Sequence, residues 1–122
     1  YNIFLDFLVV FLGILLLNLP FVDLIVCDVS FISISKALKV PLIYAKNNCQ
    51  LIALIKPQFE VGPGKVGKRG IVNDSKFQQD ACVSIQSFLL QEGWSVNSLK
   101  KSPILGSDGN LEFLISANKI AK

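Results

Sequence analysis

The chain has 122 residues and a formal net charge of +3, the length of one ordinary domain. Hydrophobic residues make up 52%, enough to close a core, which excludes disorder as the dominant state. Histidine is absent, which excludes Ser-His-Asp and Cys-His catalysis and His-ligated metal, and the three cysteines (Cys27, Cys49, Cys82) form no C-x-x-C pair, against a disulfide framework or a zinc ribbon and in keeping with a reducing cytoplasm.

Methionine is also absent, and a chain that opens on Tyr1 is expected to be an internal or C-terminal piece of a longer protein. Residues 1–21 form an apolar N-terminal segment, in which the run Phe7 to Leu17 is wholly apolar or Gly. Eleven residues fall short of the roughly 18 to 20 that span a bilayer, and no cation precedes them as a signal peptide requires. A buried helix or strand at a domain edge is the expectation, a membrane anchor the alternative, and an artefact of the sequence upstream of Val22 a third.

From Val22 onward the pattern is regular, and residues 22–122 read as one domain. Val22 to Cys27 (VDLIVC) is β-branched and apolar and predicts a buried parallel strand. Phe31 to Asn47 carries apolar residues at helical spacing, interrupted at Pro41, with a turn at Asn47-Asn48. Gln50 to Ile55 (QLIALI) predicts a second buried strand, and Gln58 to Asn73 a long loop with four glycines. Ser75 to Glu92 is the clearest helix: Phe77, Ala81, Ile85, Phe88 and Leu89 share a face, Ser75 with Gln78 forms a capping box, and Gly93 is the stop. Trp94 to Leu99 and Leu111 to Ala117 predict two last strands, joined through a turn at Ser107 to Asn110 and therefore an antiparallel pair at one edge. The alternation predicts an α/β fold of the doubly wound kind.

In such a sheet, ligands sit beyond the carboxyl ends of the strands. Asp28 follows the first strand directly and Lys56 the second. If the strands are parallel neighbours, a carboxylate and an ammonium meet in one crevice, unless each simply marks where a buried strand reaches water. Glu112, inside the last strand at its start, is a third candidate. Between Lys56 and Lys76 lie five cations against two anions, which equals the whole net charge. That loop suits an anionic partner, with nucleic-acid phosphate foremost, or serves only solubility. Its literal G-x-G-x-x-G (Gly62 to Gly67) neither follows a strand directly nor opens a helix, and its near P-loop carries Arg69 where magnesium needs Ser or Thr; both are rejected.

DLIVCDVSFIS (Asp23 to Ser33), ALIKPQFEVGPGKVGKRGIVND (Ala53 to Asp74) and SPILGSDGNLEFLIS (Ser102 to Ser116) resemble the TlyA family. These are FtsJ-like, S-adenosylmethionine-dependent rRNA 2′-O-methyltransferases, often labelled hemolysin A. The resemblance covers about Val22 to Ala117. It implies a Rossmann-like class I methyltransferase fold of which this chain holds the second half, parallel strands plus the antiparallel edge pair. It also implies a Lys-Asp-Lys-Glu tetrad, with Asp28, Lys56 and Glu112 matching its last three members. The first lysine, the glycine-rich S-adenosylmethionine motif and an S4-like RNA-binding domain belong upstream and have no counterpart in this sequence.

The implied reaction moves a methyl group from a sulfonium to a ribose 2′-OH of ribosomal RNA, cytidine in this family. Lysine is ordinarily an ammonium at pH 7, so Lys56 is expected to orient the hydroxyl, with base action confined to any neutral fraction. Asp28 would hold Lys56, and Glu112 would fix the second lysine or the hydroxyl. Lys65, Lys68 and Arg69 would meet RNA phosphates. Other classes compatible with the sequence are a hemolysin-like membrane-associated protein, resting on residues 1 to 20, and a non-catalytic RNA-binding remnant. Alone, with half the crevice missing, the fragment is expected to be inactive.

Overall fold

A computed structural model describes residues 21–121; the apolar run Phe7 to Leu17 lies outside them. Six elements follow in order: β1 (Val22–Cys27), α1 (Ile34–Leu38), β2 (Ala45–Ile55), α2 (Ser75–Gln91), β3 (Trp94–Lys101) and β4 (Phe113–Lys119). Among the described residues they build one four-stranded sheet in the order β1-β2-β4-β3. β1 runs parallel to β2, while β4 is antiparallel to both β2 and β3. The expected parallel pair and antiparallel pair are both present, with β4 inside the sheet and β3 at its edge.

The segment between β1 and β2 departs from its helical spacing. Only Ile34–Leu38 is α-helix, capped by Ser33, whose hydroxyl accepts from the Ser35 N–H. Pro41 does not kink a longer helix; it opens a separate 3₁₀ turn, Pro41–Tyr44, as its fixed φ allows. β2 then starts at Ala45, so Asn47-Asn48 is no turn. Val22 pairs with Ala45 and Leu24 with Gln50, so the extra residues bulge out of the ladder, with Asn48 at a φ of 64°. Asparagine is among the few side chains that tolerate that left-handed region, and this bulge uses the same tolerance a turn would.

α2 forms where the periodicity placed it, with Ala81, Cys82, Ile85 and Leu89 buried. Its cap is one residue earlier than the Ser75–Gln78 box. Asp74 is extended and its Oδ1 accepts from the Lys76 N–H at 2.9 Å, while the Gln78 amide donates back to the Val72 carbonyl at 2.8 Å. A carboxylate at this end also meets the positive end of the helix dipole. Gly93, at a φ of 85°, ends the helix and turns the chain into β3, where Trp94 is 1% exposed.

Both helices lie on one face of the sheet, and the core joins Ile34, Leu38, Ile85 and Leu89 to Leu51, Ile55 and Ile115. Each fully buried side chain of that size contributes roughly 1.5–3 kcal/mol. The other face is bare among the described residues: Leu24, Val26, Ile52 and Leu114 are exposed. β1 is thus turned to the core on one face only, not buried on both as its apolar run predicts, and Asp23 within it pairs with Lys46 at 3.5 Å.

Candidate active site at the strand ends

The register fixes the site. β1 and β2 are parallel neighbours, with Cys27 opposite Ala53, so the residues that follow each strand emerge at the same end of the sheet. Asp28 and Lys56 meet there: Lys56 Nζ lies 2.6 Å from Asp28 Oδ1 and also donates to Ser30 Oγ at 3.1 Å. The Lys56 side chain is only 14% exposed and that of Asp28 is 64% exposed. A pair so open to water on one side contributes about 1 kcal/mol or less to stability. Its effect is to orient the amine: two of three N–H bonds are committed within the described residues, leaving one for a ligand.

Glu112 reaches the same end by a different route. Ile55 pairs with Phe113 across the β2–β4 ladder, which brings Lys56 and Glu112 to neighbouring positions one step beyond it. Glu112 precedes β4 and does not lie within it, and it is 6% exposed. Its Oε2 accepts from Gln58 Nε2 at 3.0 Å, and neither ion pair among the described residues includes it. The carboxylate packs where the side chain of any residue but glycine at position 106 would stand. Asp28, Lys56 and Glu112 are therefore gathered at one end, with only the first two in direct contact.

Sequence reasoning missed the ties that hold this end together. Glu60, after the 3₁₀ turn Pro57–Phe59, accepts from Ser33 Oγ at 2.7 Å and from the Ile34 N–H at 2.8 Å, joining the loop after β2 to the loop after β1. Burial pushes its carboxyl above the usual range, and the two accepted hydrogen bonds oppose that shift. Asn110, 2% exposed, accepts from the Val72 N–H at 3.0 Å and donates to the Gly70 carbonyl at 2.8 Å, fastening the end of the cationic loop to the β3–β4 connection. In the sequence Asn110 is visible only as a turn residue, and Gln58 only as one letter of KPQFE.

At the rim stands Phe31, 75% exposed, with a φ of 64°, its ring 4.8 Å from that of Phe59. A bulky residue rarely adopts that backbone conformation, and such strain gathers at functional positions. Lys65, Lys68 and Arg69 are exposed on the glycine loop, with the Lys65 ammonium 5.2 Å above the Phe77 ring. The loop carries two 3₁₀ turns, Pro63–Lys65 and Lys68–Gly70, and no α-helix opens until Ser75, so neither phosphate-loop pattern has its structural context. Cys27, directly before Asp28, is free and its thiol is pushed up to about 11 by burial, with Asp28 and Glu60 adding and Lys56 opposing. It is no nucleophile at neutral pH.

Known proteins resemble this chain in sequence and in fold. The 16S/23S rRNA (cytidine-2′-O)-methyltransferase TlyA of Mycobacterium tuberculosis is 36% identical over 94 residues, 77% of this chain and 35% of that protein. The 23S rRNA (cytidine-2′-O)-methyltransferase TlyA of Campylobacter jejuni is 38% identical over 95 residues, 75% of this chain and 36% of that protein. A hemolysin-named protein of Streptococcus thermophilus has a solved structure matching with a TM-score of 0.77 at 36% identity, over 82% of this chain and 36% of that one. An S-adenosylmethionine-dependent methyltransferase of Methanosarcina mazei, at 14% identity and a TM-score of 0.55, shares the fold, covering 84% of this chain and 61% of that one. The chain spans about a third of the length of the curated relatives it matches. The family model for FtsJ-like methyltransferases matches residues 11–119, and with the TlyA relatives it establishes that this chain belongs to the FtsJ-like methyltransferase family.

Proposed function

We propose that these strand ends form the ribose-facing part of a methyltransferase site that modifies a 2′-hydroxyl of ribosomal RNA. The observation that carries the reading is the Asp28–Lys56 pair, a nearly buried ammonium held at 2.6 Å by a carboxylate at the carboxyl ends of two parallel strands. Asp28 and Ser30 fix the Lys56 amine, and its remaining N–H meets the 2′-oxygen and sets the direction of its lone pair. Holding the reacting groups in line in this way is worth several kcal/mol of barrier.

S-adenosylmethionine, when bound, supplies the methyl group. The described residues fit part of it: the exposed face of the Asp28 carboxylate suits a sulfonium cation, whereas no glycine-rich turn among them joins a strand directly to a helix to hold the rest. The Phe31 ring offers a face on which an unstacked base can lie. Lys65, Lys68 and Arg69 meet phosphates, and the ribosomal subunit and the cytoplasm, where ribosomes work, complete the reading. No helix among the described residues is long and apolar enough to cross a membrane.

Lys56→Ala in the complete protein tests the reading. Methyl transfer to rRNA should vanish while S-adenosylmethionine affinity stays within about twofold; retained turnover refutes the role. Reversing the charge of Lys65, Lys68 and Arg69 should flatten the salt dependence of RNA binding, since each phosphate contact contributes about 0.7–0.9 to the log–log slope, and an unchanged slope rules out the phosphate contacts.

A further inference from the structure

Gln58 holds an unanswered valence beside Glu112. The residue is 9% exposed, its Nε2 donates to Glu112 Oε2 at 3.0 Å, and its Oε1 is buried without a hydrogen-bond partner. It is the one buried side-chain oxygen or nitrogen among the described residues left in that state. Such an atom costs about 1–3 kcal/mol unless a donor reaches it. The neighbouring carboxylate is also acceptor-only and has no cation within 4.0 Å among the described residues. Two acceptors thus stand together at the end of the crevice, Gln58 two residues after Lys56 and Glu112 one step beyond the Ile55–Phe113 pair.

The chemistry of the incoming group matches that shortage. A ribose hydroxyl both accepts and donates. As an ammonium, Lys56 can only donate to it, and the Asp28 oxygen nearest Lys56 is already engaged. The hydroxyl hydrogen needs an acceptor, and Gln58 Oε1 is one that has no other partner among the described residues. We infer that Gln58 is a ribose-contacting residue, its Oε1 accepting a hydrogen bond from the 2′-hydroxyl of the acceptor nucleotide while its Nε2 keeps Glu112 in place. An amide oxygen holds that hydrogen bond without taking the proton, so the contact selects and orients the ribose. The inference rests on the proposed ribose-methyltransferase function and adds to it the residue that recognises the hydroxyl as a donor.

The test compares the complete protein with its Gln58→Met variant, which keeps volume and removes both amide partners. The substrate is an rRNA transcript, and the competitors are the same transcript with cytidine or with 2′-fluorocytidine, which keeps an electronegative 2′-substituent but donates nothing. The wild type should bind the 2′-hydroxyl competitor at least about tenfold more tightly than the 2′-fluoro one, since the bond donated to Gln58 is worth about that factor by itself. Gln58→Met should narrow that preference about tenfold, leaving whatever share comes from the Lys56 N–H bond to the oxygen, and lose about tenfold in kcat/KM, with S-adenosylmethionine affinity unchanged. A purely structural role would weaken both competitors equally and overturns the inference, as does a variant with wild-type preference. Should the variant fail to fold, the wild-type measurement still decides: equal binding of the two competitors overturns the inference. Absence of methyl transfer by the wild type instead refutes the methyltransferase reading itself.

Discussion

Gly106→Ala puts the packing of Glu112 to a direct test. The backbone at Gly106 has a φ of −79°, which any residue adopts, so a methyl group there meets no conformational penalty. What it meets is the Glu112 carboxylate, whose Cδ and Oε2 occupy the space of the new Cβ. Either the side chain swings away, breaking the 3.0 Å bond from Gln58, or the connection between β3 and β4 shifts. The first route costs the hydrogen bond to a charged group, about 1.5–3 kcal/mol, and the second the strain of overpacking, about 1–3 kcal/mol. Urea unfolding of the double-mutant cycle with Glu112→Ala isolates the cause. Once the carboxylate is gone, Gly106→Ala should be neutral or stabilising by about 0.4–1 kcal/mol, because it only restricts the unfolded chain. A coupling of at least about 1 kcal/mol is expected. Additive single effects, with coupling below about 0.5 kcal/mol, would show that the carboxylate does not sit against Gly106 and would leave Glu112 without its packing support at the crevice end.

Two further outcomes follow from the loop ties. Asn110→Ala leaves the buried Val72 N–H without its acceptor, so unfolding free energy should fall by about 1–3 kcal/mol and trypsin should cleave faster after Lys65, Lys68 or Arg69; an unchanged digestion rate refutes the tether. Glu60 has a folded-state pKa above its unfolded value, so its contribution to stability is fully present below the unfolded pKa and declines as pH rises through the folded one. Gln at position 60 cannot ionise and escapes that decline, so the stability of Glu60→Gln relative to wild type should improve as pH rises from about 4 to 7, and thermal melts showing the opposite trend would sink the argument.

How much was legible in the sequence depended on the range of the interaction. VDLIVC and QLIALI revealed both parallel strands because an apolar β-branched run needs only its own residues to be recognised. The apolar face of α2 and its stop at Gly93 were legible for the same reason. Asp28 and Lys56 were found because a charge directly after a buried strand marks the strand's open end. The helix expected over Phe31 to Asn47 failed because five residues of α1 already bury Ile34, Ala37 and Leu38, and β2 begins at Ala45, which pairs with Val22. Local propensity loses there to pairing with a neighbouring strand. Gln58, Glu60 and Asn110 stayed invisible in their roles because each partner lies 26 to 54 residues away, and no local pattern encodes which buried amide meets which carboxylate.

The bare sheet face explains the remaining difference and bears on the site. Leu24, Val26 and Ile52 read as buried because a parallel sheet of the doubly wound kind is covered on both faces, and the described residues cover one. Among those residues β1 is also an edge strand, six residues long, with no proline to blunt its pairing. Covering that face would add apolar burial without moving the strand ends. The positions of Asp28, Lys56 and Glu112 are set by ladder register, and their loops are held by Glu60, Gln58 and Asn110 from within the described chain. The polar geometry at the crevice therefore follows from this segment's own hydrogen bonds. On the proposed function, Lys56→Ala should accordingly abolish transfer at a stability cost of about 1 kcal/mol or less, whereas a polar substitution at the exposed Val26 should leave the unfolding free energy within about 0.5 kcal/mol of the wild type.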